Sequence, residues 1–121
     1  MELRRLPYDL TVCRLADGAA VDLSAEFFFL SKTDEELSLV CRTEDAPGET
    51  AARDDGWKAF RIEGVLDFSL IGILSRLSGI LASHGIGIFA MSTYNTDYIL
   101  VKAEHFETAL AALAAEGYTV V

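Results

Sequence analysis

Sulfur, imidazole and positive charge are all scarce in this 121-residue chain, which has two cysteines, two histidines and 10 basic residues against 19 acidic ones. Cys13 and Cys41 lie in strand-like segments without CxxC spacing, so they read as buried thiols rather than a disulfide or metal site. His84 and His105 fall at expected helix ends. Neither cysteine has a base close by in sequence, and no GxSxG, HExxH or P-loop pattern is present. Catalysis is therefore not expected, and neither a cofactor nor a metal is. The net charge of −9 sets the field of the whole protein against a polyanion such as nucleic acid. That field is uneven: residues 1–56 carry 13 acidic and 6 basic side chains, residues 57–121 carry 6 and 4. Long apolar runs are missing too. Asp67, Ser69 and Arg76 interrupt the best candidate for a membrane span, and MELRRLPYDL has no apolar stretch to form a secretory signal. A cytoplasmic protein with no membrane partner is the expectation.

Apolar residues, by contrast, make up 51% of the chain. That is high for 121 residues, and it favours a homo-oligomer, with a homodimer the simplest case. Leu70, Ile73, Leu74, Leu77, Ile80 and Leu81 recur at helical spacing and predict an amphipathic helix with Ser69 as N-cap and Gly85 as C′ residue. Ile86–Met91 reads as a strand buried on both faces or at a sheet centre. The polar loop Ser92–Asp97 follows, and Tyr98–Val101 resumes the strand. Glu104–Glu116 predicts a second helix with Phe106, Ala109, Leu110 and Leu113 on its apolar face, ended by Gly117, before a strand at Tyr118–Val121.

With an alternating strand at Trp57–Ile62, residues 57–121 spell β-α-β-β-α-β, the α+β ferredoxin-like order, with strand 57–62 expected parallel to 86–92. Upstream, Tyr8–Leu15 reads as a strand, and Phe27–Leu30 and Leu37–Cys41 as a hairpin whose turn is capped by Thr33. Residues 43–56, aperiodic and rich in Asp, Glu, Gly and Ala, read as the linker between an N-terminal part, 1–56, and a C-terminal domain, 57–121. The charge run Glu44, Asp45, Asp54 and Asp55 reads as solvated linker.

Two features converge at one end of this expected sheet. The start of the first helix offers free N–H groups and the positive end of its dipole. Gly72 in that first turn points either to something a side chain would obstruct or to close packing against a strand; Gly79 reads as a packing contact. The loop Ser92–Asp97 adds hydroxyls, an amide and the Asp97 carboxylate, or else is a plain hairpin connection. A helix start for a carboxylate and Asp97 for an ammonium together match an amino acid.

The segment from Asp67 to Leu113, most tellingly Gly85-Ile86-Gly87-Ile88-Phe89 and Ser92 through Val101, resembles the ACT domain. The likeness is to the version found in small stand-alone bacterial proteins and in the CASTOR arginine sensors of animals, and more loosely to the regulatory ACT pair of aspartokinases. Phe27–Cys41 resembles the N-terminal half of the same family. The resemblance implies tandem ACT-like units, with 1–56 as a degenerate first unit, and an amino acid bound where two ACT sheets pair. It assigns Leu70, Ile71, Gly72 and Ile73 as the backbone cradle and Ser92, Thr93, Tyr94, Thr96 and Asp97 as the polar side. Thr96 stands where the arginine sensors have an aromatic residue, so an amino acid is implied, not arginine in particular. Whether Ser31 and Thr33 join the pocket is left open.

Three functions are thus in competition. The first is a non-catalytic, amino-acid-sensing regulatory module whose output passes through an unknown protein partner or through assembly. The second is a ligand-free dimerisation module, and the third, more remote, is a small enzyme. RNA binding shares the βαββαβ order but needs exposed aromatics among basic residues, and the central strands IGIFAM and YILVKA are apolar.

Overall fold

In the computed structural model, which describes residues 1–67 and 69–121, the chain divides into two compact units. Phe68, within the segment that carries the family resemblance, lies outside the described residues. One unit combines Met1–Pro7 with Lys58–Val121, and the other is Tyr8–Trp57.

The first unit contains strand β1 (Glu2–Arg5), the end of β5 (Ala52–Ile62), helix α1 (Ile73–Ser83), β6 (Phe89–Ser92), β7 (Asp97–Lys102), α2 (Phe106–Ala115) and β8 (Thr119–Val120). From β5 onward the order is the expected β-α-β-β-α-β. Its strands run β6-β7-β5-β1-β8 across the unit. Two expectations are corrected by this order. Strand β6 pairs only with β7 among the described residues, so it is an edge strand and not one at the sheet centre. The apolar run Ile86–Met91 is instead divided: Ile86 is buried just after the helix, while β6 alternates between half-buried and exposed residues.

The second correction is β1, which sequence reading missed. It inserts between β5 and β8, antiparallel to the first (Leu3 opposite Ile62) and parallel to the second. Its sequence ELRR shows no apolar alternation, because Leu3 alone faces the core. Arg4 and Arg5 are held outside by Glu63 and Glu107.

Alternate strand residues (Leu3, Phe60, Ile62, Ile99, Val101) and one stripe of each helix (Leu77 and Leu81; Phe106, Ala109, Leu110 and Leu113) form a single core. The four apolar positions expected on α2 are all buried. On α1 the stripe begins later than its spacing implies. Leu70 is exposed, and the helix starts at Ile73 behind Gly72, not at a Ser69 cap. Gly85 and Gly117, both with φ near or above +70°, end the two helices as expected.

The unit Tyr8–Trp57 holds β2 (Leu10–Leu15), β3 (Phe28–Lys32), β4 (Leu37–Arg42) and the first half of β5, with no α-helix. Strands β3 and β4 form the expected hairpin in the register Phe28–Cys41 to Lys32–Leu37. Thr33 caps its turn, its hydroxyl accepting the N–H groups of Glu35 and Glu36. The expected linker is shorter than its composition suggests. Residues 52–56 are the start of β5, paired antiparallel with β2. ARDDG lacks apolar alternation because side-chain polar bonds help hold it: Asp55 accepts the hydroxyl of fully buried Thr11 and pairs with Arg53. Of the charge run, Asp45 and Glu44 share Arg42.

Both thiols are buried in this unit and unpaired in a disulfide. Burial pushes Cys13 up and Cys41 up to about 11. The unfolded thiol ionises near 8.5, so the thiol form's contribution to stability is complete below that pH. It is lost progressively as pH rises through about 11. Urea midpoints measured from pH 7.5 to 10.5 are expected to fall across this window, and to fall less in Cys41→Ala. A midpoint that does not move in the wild-type protein would contradict it.

Candidate functional site

The turn joining β6 to β7 is short and internally bonded. Thr93 N–H donates to the Thr96 carbonyl at 2.9 Å, and the Thr93 hydroxyl donates to the same carbonyl. Ser92 and Asp97 face each other across the last rung of the hairpin. The Ser92 hydroxyl donates to Asp97 Oδ1 at 2.6 Å. Tyr94, at the tip, is 80% exposed.

Thr96 points the other way. It is buried, and its hydroxyl donates to the Ile62 carbonyl at 2.7 Å. A second bond, from Leu66 N–H to the Asn95 carbonyl at 2.7 Å, fixes the turn against the loop that leaves β5. Thr96 was expected on the polar side of the site; the hydroxyl it carries is spent on holding the loop. Thr96→Val removes the donor and leaves a carbonyl unsatisfied, which costs about 1–3 kcal/mol. Urea denaturation checks this, and a loss under 0.5 kcal/mol, roughly the scale of an ordinary surface substitution, would show that water replaces the hydroxyl.

The loop from β5 turns at Asp67. Its carboxylate accepts Ser69 N–H at 2.8 Å, its carbonyl accepts Leu70 N–H, and the Ser69 bonds hold the carboxyl below its usual range. Ser69 is thus the recipient of a turn and not the cap of a helix. Gly72 takes that place with φ +81°. A Cβ built there meets no protein atom within 4 Å, so close strand packing does not explain this glycine. The left-handed backbone does. Gly79 likewise has open space around it and is no packing contact. Gly72→Ala is expected to cost about 1–2 kcal/mol through backbone strain, and Gly72→Asn less, because asparagine tolerates the left-handed region. Thermal melts of the pair test the reason: equal losses would point to a steric cause.

The first intrahelical bond of α1 runs from Arg76 N–H to the Gly72 carbonyl. The amides of Ile73, Leu74 and Ser75 therefore precede it and emerge from the helix end. The two loops enclose a groove of about 290 Å³. Leu70, Gly72, Ile73, Ser92, Thr93, Tyr94, Thr96 and Asp97 all line it. Ile71 does not: it is 91% exposed and borders a separate hollow beside Arg76 and Tyr118. Sequence reading missed Leu66, Asp67, Leu74 and Ser75 on the groove wall, and counted Asn95, also on it, only as the amide of the polar loop. For Asp67 a signal was present, since an aspartate two residues before a serine is a common turn former. Among the described residues, two carboxylates, Asp67 and Asp97, and no cationic side chain line this space.

The ACT domain profile matches residues 52–115, which spans the groove and both helices. The chain belongs to the ACT domain family. Members of this family are typically regulatory, non-catalytic modules that bind amino acids and commonly dimerise. A protein from Agobacterium tumefaciens solved by X-ray crystallography is 30% identical with a TM-score of 0.87, over 99% of this chain and 91% of that one. A Vibrio cholerae protein of unknown function is 26% identical with a TM-score of 0.74, over 94% and 88% of the two chains. The ligand-free regulatory subunit of aspartate kinase from Thermus thermophilus shares the fold at 12% identity (TM-score 0.60, 89% of this chain and 92% of that one). No curated protein matches.

The remaining polar candidates are engaged locally. The His84 ring lies 3.0 Å from the Ile80 carbonyl at the end of α1, and His105 lies 3.7 Å from Glu104. Among the described residues, no three His, Cys, Asp or Glu side chains are grouped to hold a metal ion. Among them, too, no helix is long and apolar enough to cross a membrane.

Proposed function

We propose that this ACT domain is a cytoplasmic regulatory module that binds an amino acid in the groove between the Asp67–Ser75 segment and the Ser92–Asp97 turn, and has no catalytic activity of its own. The observation that carries the reading is the convergence of three helix-start residues, whose amides precede the first intrahelical bond, and two carboxylates in one groove. An amino acid presents the complementary pair: its carboxylate meets the amides of Ile73, Leu74 and Ser75, and its ammonium meets Asp97 or Asp67. The groove is open on one side, and a second copy of the chain, paired sheet to sheet in a homodimer, would close it. Ligand binding would then shift the dimer population and pass the signal to a protein partner.

The Tyr8–Trp57 unit is read as a degenerate ACT-like unit, because its parts recur sixty residues later. Strand Leu37–Arg42 corresponds to Asp97–Lys102, and the short 3-10 turn Thr43–Asp45 to Ala103–His105. The bond from Thr33 N–H to the Glu36 carbonyl corresponds to that from Thr93 to Thr96. The Thr33 hydroxyl is used within its own turn, so it is not assigned to the ligand.

The test is a thermal-shift screen against the twenty amino acids, on protein unfolded and refolded to strip any carried-over ligand. A hit that Asp97→Asn abolishes supports the reading. A flat screen would favour the second reading, a dimerisation module without ligand. The exposed Leu70 and Ile71 beside the groove are the observation behind that alternative.

A further inference from the structure

The Tyr8–Trp57 unit has a cavity that its missing helices leave behind. Sixty residues on, the chain covers its sheet with α1 and α2. Here residues 16–27 and 46–51 contain no α-helix, and Val21 and Ala46 from them pack against the strand residues. Between these segments and the strands lies a space of about 270 Å³, with Phe28, Leu39 and Cys41 of the hairpin as its floor, Val21 of the covering segment above, and Asp22 and Asp45 at its rim. Among the described residues, no lysine or arginine lines it.

The chemistry of this cavity is one-sided. Its floor is apolar throughout, since burial keeps the Cys41 thiol protonated and it packs as a small hydrophobe. Its rim is anionic. Asp22 accepts the N–H and hydroxyl of Ser24, which holds its carboxyl below the usual range and so ionised. Asp45 is bonded to Arg42 at 2.8 Å. That arginine is shared with Glu44 at 3.2 Å and Glu26 at 3.6 Å, so one positive charge stands against three negative ones. The excess negative potential at the mouth of an apolar recess attracts a cation with a hydrophobic body.

We infer that this cavity is a second ligand site, distinct from the groove at α1, that takes a small organic monocation: an ammonium at the Asp22–Asp45 rim and an apolar or aromatic body against Phe28 and Leu39. Its volume lies just below the usual range for small-molecule pockets, so the body is about the size of one aromatic ring.

The test titrates the full chain, labelled with nitrogen-15, with benzylammonium, benzyl alcohol and phenylacetate, reading amide shifts. Benzylammonium is expected to move Val21, Phe28 and Leu39 and to leave Thr93–Asp97 in place. It should bind about five-fold more tightly than benzyl alcohol, with the advantage shrinking in 1 M salt, while phenylacetate does not bind. Asp22→Asn, at an exposed position, should reduce the advantage, and Ala25→Leu, which fills the space, should abolish binding by all three probes. Equal binding of the alcohol and the amine would overturn the cationic assignment. Shifts confined to Thr93–Asp97, or none, would overturn the site. The groove reading rests on separate residues and stands or falls separately.

Discussion

Phe60→Ala should remove about 3–5 kcal/mol of folding stability, the largest single-residue loss expected in this protein. Phe60 has no exposed surface and sits on β5, opposite Arg5 of β1, within the core that both helices share. Truncating it removes the apolar contact area of a whole ring and leaves a cavity that strands on either side and helices above cannot collapse to fill. Domains of this size have about 5–15 kcal/mol in all, so the variant is expected to melt more than 10 °C lower. Phe60→Leu retains most of the volume and should lose less. Urea denaturation of the two variants checks both values; a loss below 1 kcal/mol for alanine would mean that the helices close over the gap.

The second large effect is gained, not lost. An amino acid at a hundred times its dissociation constant stabilises the folded state by about 2.7 kcal/mol, a rise of about 10 °C for a chain of this length. Two substitutions separate contact from scaffold. Asp97→Asn keeps the shape and the acceptor for Ser92 but removes the charge that would meet an ammonium. It should abolish the ligand-induced rise while leaving the unliganded melting temperature near that of the wild type. Thr96→Val should do the reverse, lowering the unliganded melting temperature while a ligand-induced rise persists, because its hydroxyl serves Ile62 and not the groove. A rise that survives Asp97→Asn unchanged would place the ammonium elsewhere, with Asp67 the next candidate on the same wall.

What the sequence by itself determined is what local periodicity can encode. The buried faces of both helices, the glycines at their C-termini, the β3–β4 hairpin with its Thr33 cap and the order β-α-β-β-α-β were all legible. Each depends on neighbours three or four residues away, or two in a strand, and the apolar residues repeat at that spacing. The family resemblance was legible for a related reason, since it rests on contiguous residues around Gly85–Phe89 and Ser92–Val101.

Tertiary structure decided everything set by pairing across the chain. Strand β1 exists because Leu3 fits between β5 and β8, a partnership that ELRR does not announce. The polar start of β5 is a strand because β2 lies beside it and Thr11 bonds Asp55. Placing β6 at an edge depends on β7 lying between it and β5, which apolar content cannot reveal. Leu70 continues the helical spacing yet lies outside the helix, because the positive φ of Gly72 sets its start. The groove itself depends on two bonds between distant residues, Leu66 to Asn95 and Thr96 to Ile62. Side-chain spacing records which face of an element is buried; which partner buries it is fixed only when backbone donors and acceptors far apart in sequence find each other.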